Sequence, residues 1–132
     1  MTFRIEARVY YEDTDAGGIV YYANYLKFME RARTEWLRKI GIESEKMMAE
    51  RRLCFVVAKV EIAYKRPARL DDLLTIEASV DTLSATRMRL RQNVTRGDDM
   101  IAEAFVDIAM INLDSGRGTK IPDDLATLLA CA

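Results

Sequence analysis

A short run of carboxylates, glycines and aromatic residues near the N-terminus carries the side chains best suited to chemistry. Residues 13–25 read DTDAGGIVYYANY, which places Asp13 and Asp15 just before the predicted start of a helix near Tyr22. The free N–H groups at a helix start carry partial positive charge and can stabilise an oxyanion. A nearby carboxylate can attack a carbonyl carbon or activate water. This pattern is therefore compatible with acyl transfer.

The same spacing also fits a purely structural role. Asp13 and Asp15 could accept hydrogen bonds from nearby backbone N–H groups in Asx-turns and cap the helix. Asn24 could orient Asp15 or cap the helix, while Tyr21 and Tyr25 could lie in the core or line a pocket for an acyl group. The residue pattern by itself leaves these alternatives open.

Other chemistries are excluded by composition. The sequence contains no histidine, the side chain that most often acts as base, acid or metal ligand near neutral pH. Ser-His-Asp triads, Cys-His dyads and histidine-ligated zinc are therefore ruled out within this chain. Cys54 and Cys131 are far apart, so they indicate neither a disulfide framework nor a metal site. We expect chemistry without a metal or a cofactor, based on carboxylates, Tyr, Lys, Cys or backbone amides.

Length and charge indicate the class of protein. The chain has 132 residues, of which 50% are hydrophobic, which fits one globular domain spanning residues 1–132. Its 20 basic and 21 acidic side chains give a net charge of −1, which argues against a nucleic-acid partner. No stretch approaches the ~20 apolar residues of a membrane span, and the N-terminus lacks the apolar core of a signal peptide. We expect a cytoplasmic protein without a transmembrane segment.

Hydrophobic patterns predict the elements that position the candidate residues. Apolar residues alternate from Phe3 to Tyr11, as in a half-buried strand, and recur with a helical period from about Tyr22 until Gly41 ends the helix. Four more strands and a terminal helix are predicted at residues 54–65, 74–81, 87–91, 100–113 and 122–129. The order β-α-β-β-β-β predicts an α+β fold in which a mostly antiparallel sheet curls around the long helix.

Two groups of basic residues could contact phosphates. Arg87, Arg89 and Arg91 alternate along one strand, where a solvated strand face is the usual meaning and contact with phosphate or anionic lipid is the alternative. The second group consists of Lys59, Lys65, Arg66 and Arg69.

The stretch from Tyr10 to Leu37, YYEDTDAGGIVYYANYLKFMERARTEWL, resembles the signature of hotdog-fold acyl-CoA thioesterases of the hydroxybenzoyl-CoA thioesterase branch. Within that branch it is most similar to the thioesterases associated with the Tol-Pal system. Weaker matches at residues 64–72 and 83–86 extend the likeness over nearly the whole chain. The resemblance implies a single hotdog domain, in which a curved antiparallel sheet wraps a long helix.

The resemblance also implies roles for individual residues. By position, Asp15 would be the catalytic carboxylate and the backbone amide of Tyr22 would polarise the thioester carbonyl, while Asp13 would shape the loop. Asp15 would either attack the carbonyl to form a transient anhydride or orient a water molecule. An aspartate is ionised at neutral pH but is a poor base, which mildly favours direct attack. The expected substrate-binding residues are Gly18, Tyr21, Asn24 and Tyr25.

One position departs from the Tol-Pal-associated pattern. Those proteins commonly have histidine where this chain has Tyr22, whereas the hydroxybenzoyl branch has tyrosine there. Any mechanism that needs an imidazole is therefore excluded here, but a contribution from the backbone N–H tolerates a different side chain.

The function implied by the resemblance is hydrolysis of an acyl-CoA thioester to a free acid and coenzyme A. The acyl group could be short, long or aromatic. Hotdog domains pair their sheets edge to edge, so a homo-oligomer is expected, either a dimer or a homotetramer built from dimers. The apolar residues 100–113 are compatible with such a contact and equally with a monomer core. The alternative function is a non-catalytic module of the same fold that binds acyl-CoA or an acyl carrier.

Overall fold

One six-stranded antiparallel sheet and three α-helices form the structure, a computed structural model that describes residues 2–132. The elements are β1 (Phe3–Arg8), α1 (Asn24–Lys39), α2 (Ser44–Arg51), β2 (Leu53–Tyr64), β3 (Leu73–Leu83), β4 (Arg87–Arg96), β5 (Asp99–Asn112), β6 (Arg117–Gly118) and α3 (Asp123–Ala130). The strand order is β1-β3-β4-β5-β2, and β6 pairs with β5. All strand pairings are antiparallel, which confirms the predicted sheet.

Helix α1 lies across the sheet and packs mainly on β1 and β3. Leu74 and Ile76 of β3 are fully buried and belong to the same core cluster as the apolar face of α1. The buried side chains of α1 are Asn24, Tyr25, Phe28, Met29, Ala32, Trp36 and Leu37. This arrangement confirms the predicted α+β fold, in which a curled sheet covers a long central helix. None of the helices within residues 2–132 is long and apolar enough to cross a bilayer.

Gly41 ends helix α1. Gly41 adopts a φ of 98°, a conformation that glycine reaches without the steric penalty of a side chain. The N–H of Ile42 then donates to the Leu37 carbonyl at 2.8 Å, and the Gly41 N–H donates to the Arg38 carbonyl at 3.1 Å. These two bonds satisfy carbonyls at the helix end, as in a Schellman motif. The predicted helix stop is confirmed.

Several element boundaries differ from the sequence prediction. β1 ends at Arg8 because the chain forms a single 3₁₀ turn at Tyr11–Asp13. The sequence predicts a helix start near Tyr22, but α1 begins at Asn24, so Tyr22 lies before the first helical turn. Helix α2 was not predicted. Only Met47 is buried in it, so its sequence carries no apolar stripe.

Among the three alternating arginines of β4, Arg87, Arg89 and Arg91, the middle one is surrounded by carboxylates. Arg89 forms ion pairs with Glu61 at 3.3 Å, Asp107 at 3.3 Å and Asp81 at 3.6 Å. Its guanidinium also lies 4.4 Å from the centre of the Phe105 ring. Because three carboxylates already surround this cation, the contacts favour the solvated strand face over a phosphate site.

The loop between β2 and β3 supports the segment that precedes α1. The Val20 N–H donates to the Ala68 carbonyl at 2.9 Å. Asp72 closes the loop by accepting bonds from the Arg69 N–H and from Arg96 Nη1, each at 2.8 Å. Partial burial by itself raises the pKa of Asp72, but these hydrogen bonds and the positive charges outweigh it and hold the pKa below its usual range.

Asp72→Asn should lower the free energy of unfolding by about 1 kcal/mol at neutral pH, because it weakens a charge-assisted hydrogen bond. The stabilisation from Asp72 is complete above its unfolded-state pKa of about 3.9 and is lost as the pH falls through the lower folded-state pKa. Urea unfolding of both proteins from pH 7 down to pH 3 measures this. The exposed pair of Arg52 with Asp114 supplies the control, since Asp114→Asn should change stability little. An Asp72 effect that is constant over this pH range would contradict the assignment.

Candidate active site

The segment between β1 and α1 forms a small hairpin that carries Asp15 at its tip. The Tyr21 N–H donates to the Asp13 carbonyl and the Asp15 N–H donates to the Ile19 carbonyl, both at 2.9 Å. The Gly18 N–H closes the tip by donating to the Asp15 carbonyl at 3.0 Å. These backbone bonds hold Asp15 in a turn of fixed shape.

A buried carboxylate secures the base of this hairpin. Asp13 is 6% exposed, and its Oδ2 accepts the Tyr10 N–H at 2.8 Å. Its Oδ1 accepts a bond from the Asn24 side-chain amide, also at 2.8 Å. The predicted role of Asp13 in shaping the loop is thus confirmed. Both alternatives for Asn24 were wrong, because its side chain contacts Asp13 rather than Asp15 and because Ala23 occupies the helix cap.

Asp15 is exposed, and one of its two carboxylate oxygens is held in place. Its Oδ1 accepts the Gly17 N–H at 2.8 Å, which forms an Asx-turn. No donor from residues 2–132 bonds to Oδ2. A Cβ atom at position 17 would lie 3.1 Å from Asp15 Oδ1, so a side chain there would force this oxygen to move by a few tenths of an ångström. The Asx-turn is the structural alternative that the sequence left open for Asp15, and Gly17 supplies its donor.

Gly18 has a conformational role in the same turn. Its φ is 79°, in the region that side-chain-bearing residues rarely adopt. The structure therefore explains the glycine pair by two different needs, space beside Asp15 at position 17 and backbone conformation at position 18. Contact of Gly18 with a substrate stays a prediction.

The amide of Tyr22 lies where the hairpin ends and the helix is about to begin. No acceptor within residues 2–132 bonds to this N–H, whereas the Tyr22 carbonyl accepts a hydrogen bond from the Tyr64 hydroxyl at 3.1 Å. Tyr64 is the last residue of β2, so the sheet fixes the orientation of the backbone at Tyr22. Sequence reasoning placed Tyr64 in a strand and in the weaker family match at residues 64–72, but nothing in the local pattern reveals a partner so distant in the chain.

Four tyrosine rings form a cluster at this point of the chain. The ring of Tyr22 lies 5.0 Å from that of Tyr21 and 6.2 Å from that of Tyr64, and the Tyr64 ring lies 5.6 Å from that of Tyr25. Tyr25 is buried, which agrees with the core alternative, but Tyr21 is 49% exposed and Tyr22 is 62% exposed. The Tyr25 hydroxyl accepts the Ala68 N–H at 3.3 Å. Burial raises the pKa of Tyr25. Burial also raises the pKa of Tyr64, and the neighbouring Tyr22 adds to that effect.

A cleft of about 240 Å³ opens beside the tyrosines. Its walls are Ile19, Val20, Tyr22, Tyr25, Tyr64, Lys65, Arg66 and Pro67. Arg66 forms an exposed ion pair with Asp99 at 3.4 Å. The cleft combines aromatic walls with two cationic side chains, and Tyr22 borders it, whereas Asp15 is not among its walls. Such an arrangement can accept a polar group that carries a developing negative charge.

Comparison with known protein families identifies the superfamily of this chain. The profile of the thioesterase-like superfamily matches residues 9–129, so the chain belongs to this superfamily. The curled sheet around α1 is the hotdog fold, as the resemblance of the Tyr10–Leu37 signature implied.

Several individual proteins are similar to this chain over most of its length. The acyl-CoA thioesterase YbgC of Haemophilus influenzae is 40% identical over 123 residues, which is 93% of this chain and 90% of that protein. The acyl-CoA thioester hydrolase YbgC of Escherichia coli O157:H7 is 43% identical over 111 residues, with 83% and 82% covered. A crystal structure of a probable thioesterase from Bartonella henselae has a TM-score of 0.88 at 38% identity and covers 92% of this chain and 100% of that one. These likenesses confirm the family that the signature indicated.

Asp13→Ala should destabilise the protein by about 3 kcal/mol, because it leaves the Tyr10 N–H and the buried Asn24 amide without their acceptor. Thermal and urea unfolding measure the loss. Asp15→Ala is the matched control, since it removes a carboxylate two residues away that is exposed, and it should change stability by less than about 1 kcal/mol. Equal losses in the two variants would show that Asp13 does not secure the hairpin.

Proposed function

We propose that the protein hydrolyses acyl-CoA thioesters to a free acid and coenzyme A. The observation that carries the proposal is that one short segment holds both an exposed carboxylate oxygen, on Asp15, and, at Tyr22, a backbone N–H that bonds to no acceptor within residues 2–132. A nucleophile and an oxyanion donor are the two groups that acyl transfer requires. Membership of the thioesterase-like superfamily supports the same reaction.

Asp15 supplies the carboxylate in this proposal. Its Oδ1 is held by Gly17, which leaves Oδ2 to attack the thioester carbonyl carbon. As the new C–O bond forms, the carbonyl oxygen becomes an oxyanion that accepts the Tyr22 N–H. The C–S bond then breaks, coenzyme A leaves as a thiolate that takes a proton from water, and an acyl-aspartyl anhydride remains. Water hydrolyses the anhydride and restores the carboxylate of Asp15.

Activation of water by Asp15 is the second route to the same products. In that route Asp15 takes a proton from water as the water attacks, and no anhydride forms. The weak basicity of an aspartate favours direct attack. Both routes use the Tyr22 amide for the oxyanion, and a single donor of this kind contributes about 3 kcal/mol to transition-state stabilisation. A backbone donor also accounts for a tyrosine at a position where related proteins carry histidine.

We also infer that two copies pair through β2. This strand has 12 residues and bonds to β5 on one side only, so the backbone groups on its outer side have no partner within residues 2–132. Its charged residues are Lys59 and Glu61, and Val57 is 47% exposed. A long apolar edge strand is a template for pairing with another strand. Pairing related by a two-fold axis would place the tyrosine cleft, which borders Tyr64, near the interface.

Asp15→Asn should reduce kcat/KM for thiol release from acyl-CoA by at least about 100-fold, because the amide can neither attack nor accept a proton. The fold should be unchanged, as judged by circular dichroism and unfolding temperature. Asp98→Asn is the control, because Asp98 is an exposed carboxylate in the turn between β4 and β5, and it should retain full activity.

Two results would contradict the proposal for Asp15. Equal thiol release by wild type and Asp15→Asn would remove Asp15 from the mechanism. Tight binding of acyl-CoA by the wild type without thiol release would indicate the non-catalytic binding module instead.

Val57→Lys should weaken pairing of two copies, since it places a charge on the apolar edge of β2. Size-exclusion chromatography with light scattering should show a dimer or a tetramer for the wild type and a shift towards monomer for the variant. Leu128→Lys, which adds the same charge at a residue of α3 that is 38% exposed, should leave the size unchanged. A wild-type monomer at the concentrations used in the activity assay would overturn the proposed interface.

A further inference from the structure

Within residues 2–132, the backbone of Tyr22 takes part in a single hydrogen bond. Its N–H bonds to no acceptor there, and its carbonyl accepts no backbone N–H. The bond that remains is the one that the Tyr64 hydroxyl donates to the Tyr22 carbonyl, at 3.1 Å. The preceding residue is held differently, because the Tyr21 N–H donates to the Asp13 carbonyl and the Tyr21 carbonyl accepts the Asn24 N–H.

Residues 21–24 form a turn that leads into α1. The Asn24 N–H closes this turn by donating to the Tyr21 carbonyl at 2.8 Å. Ala23 has a φ of −71° and a ψ of −18°, close to the values of the third residue in a type I turn. Type I and type II turns differ in the orientation of their central peptide, which the closing bond leaves unrestrained. Here that peptide carries the Tyr22 carbonyl, so the Tyr64 hydroxyl restrains it from the sheet.

Tyr64 can impose this restraint because its own position is fixed. It is the last residue of β2 and pairs with Ala102 of β5. Its ring lies 5.6 Å from that of the buried Tyr25 and meets the Tyr22 ring edge-on at 6.2 Å. The hydroxyl that reaches the Tyr22 carbonyl is therefore carried by a side chain packed on two neighbours and anchored in the sheet.

The same hydroxyl compensates the negative end of the Tyr22 carbonyl dipole. Tyr22 and Tyr64 both line the tyrosine cleft. A carbonyl oxygen without a donor at this place would repel the oxyanion that the proposed reaction forms, because like partial charges repel strongly where little water intervenes. The Tyr64 O–H dipole removes part of that repulsion. One hydroxyl thus contributes both to the shape of the turn and to its local charge.

We propose that Tyr64 is a positioning residue for the reaction: its hydroxyl holds the turn at residues 21–24 in the conformation that presents the Tyr22 N–H to the oxyanion. This inference rests on the proposed thioesterase function and adds a residue of the sheet to the site formed by Asp15 and Tyr22. Because the oxyanion exists only in the transition state and the intermediates, the loss of the hydroxyl should lower kcat and leave KM nearly unchanged.

Tyr64→Phe removes the hydroxyl and keeps the ring. Kinetics use the acyl-CoA that the wild type cleaves fastest among short, long and aromatic thioesters. We expect kcat to fall by about tenfold or more and KM to change by less than about twofold, because a misplaced donor loses much of its stabilising effect. Replacement of Tyr64 by 4-aminophenylalanine, whose amine can donate from the same place, should restore most of kcat.

Tyr11→Phe is the matched control for the loss of a hydroxyl. Tyr11 is 82% exposed, and its hydroxyl bonds to no group within residues 2–132. This variant should keep the wild-type kcat and KM. Circular dichroism and size-exclusion chromatography with light scattering should show the same fold and the same oligomer for the wild type and all variants.

NMR relaxation of backbone nitrogen tests the restraint without any reaction. The heteronuclear NOE of the Tyr22 amide should be typical of rigid backbone in the wild type and in Tyr11→Phe, and it should fall in Tyr64→Phe. The Tyr21 amide, which bonds to the Asp13 carbonyl, should stay rigid in all three proteins and supplies the internal reference.

The outcomes separate this inference from the proposed function. An unchanged kcat or a rigid Tyr22 amide in Tyr64→Phe would overturn the inference and leave the thioesterase function standing. A rise in KM at constant kcat would overturn it as well, since it would place the hydroxyl in contact with the substrate. A smaller oligomer for Tyr64→Phe would attribute the loss of kcat to pairing of copies, which also overturns it. Absence of thiol release by the wild type would overturn the proposed function and with it the role of Tyr64 in the reaction.

Discussion

The buried carboxylate of Asp13 is the contact on which the candidate site depends. It joins the backbone leaving β1 to the first residue of α1 through two hydrogen bonds of 2.8 Å. Removing a carboxylate from water is costly unless donors replace the lost hydration, and here the Tyr10 N–H and the Asn24 amide do so. The hairpin between them can then project Asp15 outward while its base stays fixed to the core.

The two nearby aspartates have different structural roles, since Asp13 is buried and Asp15 is exposed. Asp13 lies at the rigid base of the hairpin, and Asp15 lies at its tip, where the Gly17 N–H donates to its side chain. The backbone at Tyr22 is oriented from the opposite side by Tyr64, at the end of β2. The two halves of the proposed catalytic pair are thus positioned by different parts of the fold, the hairpin for Asp15 and the sheet for the amide.

Periodic patterns predicted the long elements correctly, because the sheet and α1 each bury one face. The strand and helix periods followed from those buried faces, and Gly41 marked the end of α1. Helix α2 was not predicted, because Met47 is its one buried side chain. The hydrogen bond between Asp13 and Asn24 was not predicted either, because spacing does not reveal which of two aspartates in a loop is buried. Tyr64 donates to the Tyr22 carbonyl and Arg33 donates to Gln92. Both partners are far away in the sequence, and only the folded chain brings them into contact.

The tyrosine cluster has an electrostatic consequence for a ligand entering the cleft. Burial raises the pKa of Tyr25 and Tyr64, so both hydroxyls stay protonated and uncharged well into alkaline solution. The aromatic walls of the cleft therefore add no anionic charge of their own. With Lys65 and Arg66 at the same opening, a ligand that carries several phosphates meets neutral rings and positive charge there, not a second source of repulsion.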